Sequence, residues 1–389
     1  MKFKKNYITI MLLIGFINNS SATENESEKK NQQGVTFECE YNKIIDIEKK
    51  FDSLLNNLNI QKYVTKNVDY NKSNLNYQLS KEIYDTTKIS LDYQLKPETI
   101  NIPIKNNKNK QVKVVSKAEI ILAKMNLGRN FLYSKDFCSF ESFEDNVKIR
   151  QNTIAWISQV EWLWPDGESA FLNEKYWNQD FTLKEKKSFT NGLSDIFIDQ
   201  KKYSFGCNFA AKISMTQGIF DYYKRIKKDS DMVSLLEKRM LRDGDYLKNI
   251  DPEYDAEKTD DNGKLLKVSY GINKKNIVPG DWIYFENTDA KTKEKLGYEG
   301  SNSIYLGQNK FNDFYNDNNH SYSLEEKLDE VYQWRNEVFS RTRHADKIKP
   351  ISHEDLMGLL NSPKEGGILR EYRVNHYNFV NKNGKLIHD

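Results

Sequence analysis

Apolar residues recur at helical spacing in several stretches of this chain and at alternate positions in a few others. Ile44, Ile45, Ile47, Phe51, Leu54, Leu55 and Leu58 predict an amphipathic helix over 42–60. The same spacing returns at 117–127, ended by Gly128, and at 142–164, ended by Pro165-Asp166-Gly167. Residues 62–112 are rich in Asn and Lys, with short alternating runs such as Ile100 to Ile104. Leu193, Ile196 and Phe197 mark a short helix. A longer one runs from Cys207 towards Arg225 through Ile213, Met215, Ile219, Phe220 and Tyr223, and another occupies 231–242. The polar stretch 243–276, with a turn at Asn262-Gly263, reads as an insertion. Pro279-Gly280-Asp281 then opens a strand at Trp282-Ile283-Tyr284-Phe285, Ser303 to Gly307 gives a second, and Asn309-Lys310-Phe311 starts a third. Residues 324–339 are helical in pattern, and 368–380 read as a final strand. This order predicts an α+β fold. A mostly helical region over 36–165 precedes a domain over 166–389, in which a helix packs on a small antiparallel sheet.

The first 22 residues change the setting. Lys2, Lys4 and Lys5, the apolar run Tyr7 to Ile17 and Ser20-Ser21-Ala22 read as a cleavable export signal. That run is too short to span a bilayer, so the mature protein is expected in a periplasm or outside the cell, with no membrane segment. Residues 23–35 are polar and expected to be a disordered lead-in. The chain has 59 basic and 56 acidic residues; the signal takes three lysines and no acid, leaving 56 against 56. Such a chain has no basic field for nucleic acid. Its cysteines are odd in number: Cys39, Cys138 and Cys207. In an oxidising compartment Cys39 and Cys138 are expected to pair, with Cys207 left as a free thiol or an intermolecular partner.

Cys207 follows a glycine and stands in the first turn of its predicted helix. Helix N-terminal N–H groups favour an anionic sulfur and can hold an oxyanion, which suits a nucleophile. A small buried thiol that only packs is the plainer alternative. Other chemistry fails on inspection. Asp260-x-Asn262-Gly263 suggests a calcium loop, but its first ligand position would be Lys258 and its last Ser269. His344, His353, His376 and His388 show no paired ligand spacing and read as surface residues. No serine elbow, Walker loop or cysteine-pair zinc pattern occurs.

The run from Asp195-Ile196-Phe197 to Tyr203-Ser204-Phe205-Gly206-Cys207 resembles the active-site segment of bacterial spore-coat-type protein-glutamine γ-glutamyltransferases. So does the later order of Pro279-Gly280-Asp281 with Tyr284-Phe285, Gly300-x-Asn302 before Tyr305-Leu306, and Tyr372-Arg373, the whole spanning 184–380. The resemblance implies a papain-like fold with Cys207 as nucleophile. The thiol would attack a glutamine side-chain amide, release ammonia and pass the thioester to a lysine amine. The partners implied are proteins bearing glutamine and lysine, and no cofactor is implied. Asn208 and its neighbours would offer N–H groups to the oxyanion.

Three departures stand out. Gly206 and Ser301 occupy places where the family has glutamate, and Phe314 one where it has histidine. Candidate replacements are Glu299, on the same strand face as Ser301; Asp313, beside Phe314; and His320, the first histidine of the mature chain. Each also has a plain reading as a turn or loop residue. Three functions stay open: a transferase or deamidase acting on glutamine, a papain-like amidase or peptidase of cell-wall peptides, and a binding module that keeps the fold without the chemistry.

Overall fold

The computed structural model describes residues 33–104, 108–165, 170–242, 246–247, 250, 265–270, 274–316, 321–340, 346–361 and 368–374. The export signal, the Asn262-Gly263 turn, His320, His344, His376 and His388 lie outside the described residues.

The N-terminal region is not mostly helical, as its sequence pattern suggested: strands alternate with its helices. β1 (Gly34–Glu38) leads into α1 (Tyr41–Asn57), whose Ile44, Ile47, Phe51 and Leu55 are buried at the expected helical spacing. β2 (Val64–Asp69), β3 (Asn74–Leu79) and, further on, β6 (Asn130–Ser134) join β1 in a four-stranded sheet of order β2-β3-β1-β6. After the single turn of α2 (Ile89–Asp92), β4 (Glu98–Ile104) and β5 (Lys108–Val114) form a separate antiparallel pair. α3 (Lys117–Met125) and α4 (Phe140–Ile157) are the two helices expected from 117–127 and 142–164, each with a serine side chain accepting a first-turn N–H. A disulfide ties Cys39, after β1, to Cys138, before α4, with Cα atoms 5.6 Å apart. Closing about 100 residues this way adds about 4–5 kcal/mol in the chain-entropy account.

In the second half, α5 (Phe189–Ile198), α6 (Cys207–Asp221) and α7 (Ser230–Met240) follow the predicted order, with α6 prolonged by a π-helical turn over Tyr222–Lys227. α4 crosses α6 closely because Gly218 has no side chain; a Cβ there would collide with Thr153. β7 (Leu266–Tyr270), β8 (Trp282–Glu286), β9 (Gly300–Gly307), β10 (Lys310–Asn312) and the later β11 (Ile368–Val374) form an antiparallel sheet ordered β10-β9-β8-β11-β7. Between β10 and β11 come α8 (Leu324–Arg335) and α9 (His353–Asn361).

The β8–β9 hairpin separates two apolar clusters. Trp282 and Ile304 belong to the larger one, which runs from Val35 to Tyr315 and includes Cys207. Ile283, Phe285 and Tyr305 belong to a smaller one with Leu324, Leu328 and Trp334 of α8. Strand alternation explains the split, since successive side chains leave opposite faces. The hairpin is anchored to the first half by Asp281. This fully buried carboxylate accepts from Arg129 Nη1 at 2.7 Å and Arg150 Nη1 at 2.9 Å, and from the Val278 N–H at 2.8 Å.

Candidate active site

Residues 203–206, which deliver Cys207, are fixed at three points. Tyr203 donates its hydroxyl to Asp195 Oδ2 at 2.6 Å, and Asn173 Nδ2 donates to the same oxygen at 2.7 Å. Burial first, then the Asp195 carboxylate, pushes the Tyr203 phenol well up, so it stays a donor. Ser204 exchanges two backbone hydrogen bonds with Phe171, each 2.9 Å. The Phe205 carbonyl accepts from the Tyr315 hydroxyl at 2.9 Å.

Tyr315 is held in turn by its neighbours. Asn312 donates to the Ile157 carbonyl at 3.1 Å and accepts the Phe314 N–H at 2.7 Å. That second bond supports the left-handed φ of +80° at Phe314, a conformation costly for a bulky residue. The Phe314 carbonyl accepts from the Trp162 N–H at 3.0 Å. Strain, side-chain amide and backbone pairing together place the tyrosine.

The α6 N-terminus differs from those of α3, α4, α5, α7 and α8. Those five are capped by the side chains of Ser116, Ser139, Ser188, Asp229 and Ser323. α6 starts from Gly206, and no side chain among the described residues caps it. Its first helical bond runs from the Ala210 N–H to the Gly206 carbonyl at 3.1 Å. The N–H groups of Cys207, Asn208 and Phe209 therefore have no acceptor within the helix. Such an end can hold an anion. Gly206 has an ordinary φ of −71°, and no atom lies within 4 Å of where its Cβ would stand. Neither backbone nor crowding from the described residues demands glycine here.

Cys207 is a free thiol, 9% exposed. Asn302 Nδ2 donates to its sulfur at 3.1 Å, and Trp282 Nε1 donates to Asn302 Oδ1 at 2.8 Å. An indole N–H can only donate, so the amide oxygen faces Trp282 and the amide NH₂ faces sulfur. Among the described residues, Asn302 is the one side chain hydrogen-bonded to Cys207.

Sequence reasoning noticed Asn302 only as part of a motif and Trp282 only as the start of a strand. The signal that could have found them is the hairpin register, in which Tyr284 lies opposite Asn302 and Trp282 opposite Ile304. It puts Trp282 and Asn302 on one face.

The other candidates lie elsewhere. Ser301 is fully buried on the opposite face of β9. Glu299 is exposed, and its carboxylate accepts the Gly297 N–H at 2.9 Å, closing its own turn. Asp313 is fully buried and sits 3.3 Å from Lys327 Nζ of α8. Phe314 is buried with its ring stacked on Trp162. The described residues hold no group of three or more His, Cys, Asp or Glu able to bind a metal ion, and no helix long and apolar enough to cross a membrane.

The site thus sets a cysteine in the first turn of a buried helix against a sheet-borne amide. Residues 97–337 match the family model of protein-glutamine gamma-glutamyltransferase. That is more than half of the chain, and the chain belongs to this family. Among solved structures it is similar to a transglutaminase from Geobacillus stearothermophilus (without C-terminal extension), at 16% identity and a TM-score of 0.34, covering 60% of this chain and 91% of that one. No curated protein matches the chain.

Proposed function

We propose that this protein is an exported thiol acyltransferase acting on glutamine side chains of proteins, with Cys207 as nucleophile in a papain-like arrangement of helix and sheet. The observation that carries the reading is the Asn302–Cys207 hydrogen bond at the open end of α6, within the span matched to the family. Sulfur attacks the amide carbon, and the tetrahedral oxyanion is received by the unused N–H groups of Cys207, Asn208 and Phe209. Ammonia departs with a proton, leaving a γ-glutamyl thioester. A lysine amine then takes the acyl group and frees the thiol, giving an isopeptide cross-link; water in its place gives deamidation. The test is incubation of the mature protein with a glutamine-bearing protein and a fluorescent primary amine. Cys207-dependent labelling with ammonia release is expected. A folded protein that shows no labelling and no ammonia release sinks the reading.

One observation favours a second reading, a module that has kept the fold and not the reaction. Asn302 is neutral and can neither take nor give up a proton at ordinary pH, so it is no general base. Thiol alkylation at pH 6 separates the two readings. An active Cys207 reacts faster than a free thiol, and an inert one does not.

A further inference from the structure

Lys327 is fully buried, and so is Asp313; Glu330 is 4% exposed. Lys327 Nζ lies 3.3 Å from Asp313 Oδ2 and contacts Glu330, one helical turn along α8. The Tyr322 ring covers the ammonium at 4.4 Å from its centroid, and Phe311, Leu324, Leu328 and Val331 wall the surroundings. Asp313 leaves the end of β10, and Tyr322 returns to it through paired backbone bonds with Phe311 at 2.7 and 3.0 Å. The amine and the carboxyl are thus brought together by two elements that packing holds still.

We propose that Lys327 and Asp313 condense to an intramolecular isopeptide bond, with Glu330 as proton shuttle. Lys327 gives a proton through Glu330 to the Asp313 carboxylate, and its free amine attacks the Cγ of the resulting neutral acid. The Nζ–Cγ bond forms, the Cγ–Oδ bond breaks, and the departing oxygen leaves as water with protons returned through Glu330. Ammonium plus carboxylate become amide plus water, so atoms and charge balance without a cofactor or an oxidant.

Three physical terms favour the step here and disfavour it in solution. Fixed neighbours at contact distance have effective molarities of about 10⁵–10⁸ M. Condensation removes two charges from a site where each carries a desolvation penalty. The apolar wall keeps bulk water from driving hydrolysis. The new amide N–H keeps a donor for Glu330. The bond would close the excursion that carries Phe314 and Tyr315, and Tyr315 holds the Phe205 carbonyl two residues before Cys207. It is independent of whether Cys207 is active.

Intact-mass measurement on the purified mature protein tests this, with the disulfide reduced and alkylated. The expected mass is one water below that of the fully alkylated sequence, and tryptic digestion yields a branched peptide joining Asp313 to Lys327 with no cleavage after Lys327. Glu330→Gln keeps both reacting groups and should restore the water and the cleavage. A full sequence mass with ready cleavage after Lys327 overturns the proposal. So does a lost water that maps to any pair other than these two.

Discussion

The two faces of the β8–β9 hairpin put neighbouring polar residues to different uses. On one, Asn302 is locked by Trp282 and donates to Cys207. On the other, a single residue away, Ser301 is fully buried with no partner for its hydroxyl among the described residues, in a sheet face covered by α8. Ser301 was singled out in the sequence only by resemblance. In the hairpin it leaves the face opposite the one that meets the thiol, which Asn302 reaches. Polar residues in a strand gain meaning from the face they take.

The largest test of this contrast is the proposed nucleophile. Cys207→Ala should abolish amine incorporation, by at least about 10³-fold, with thermal unfolding little changed. Next comes the facing amide. Asn302→Ala should slow turnover by about 10²-fold, the scale of losing one aimed donor. Trp282→Phe keeps most of the ring packing but releases the amide oxygen, and a loss of about 10-fold is expected from an orienting partner. Steady-state kinetics with a glutamine peptide reads all three. The opposite face should respond in stability alone. Ser301→Ala removes a buried unpartnered hydroxyl, so denaturant unfolding should show no loss and a gain of up to about 1 kcal/mol, at unchanged rate. An equal kinetic loss for Ser301→Ala and Asn302→Ala would erase the distinction between faces.

A smaller effect concerns Glu119 of α3, which is fully buried and accepts the Gln308 N–H at 2.8 Å. Burial pushes its carboxyl above the usual range, against weaker help from Ser90 and that N–H. A raised folded pKa contributes stability that is present in acid and lost as pH rises through the folded value. Glu119→Gln should therefore flatten the fall in stability above the ordinary carboxylate range, as measured by unfolding at several pH values.

The sequence made the helices legible because their apolar spacing is regular: α1, α3, α4, α5, α6, α7 and α8 all fall where periodicity places them. The N-terminal sheet was hidden for a physical reason. β2 is an edge strand, and its Thr65, Lys66 and Asn67 face solvent, while β5 exposes Lys108 to Gln111. Strands wetted on both faces carry little alternation. β7 was missed likewise, inside a polar stretch at the far edge of its sheet. The Cys39–Cys138 pair followed from counting. At the site, Cys207 was readable from helix position, but Asn302 was not. Its role depends on a partner 20 positions away and on a register no local pattern reveals.

The most direct test is to trap the acyl-enzyme. The mature protein is mixed with a glutamine peptide in the absence of amine, quenched in acid and mapped by mass spectrometry. A γ-glutamyl thioester on Cys207 with release of ammonia is expected, and much less of it in Asn302→Ala. Folded protein that gives no adduct and no ammonia contradicts the account.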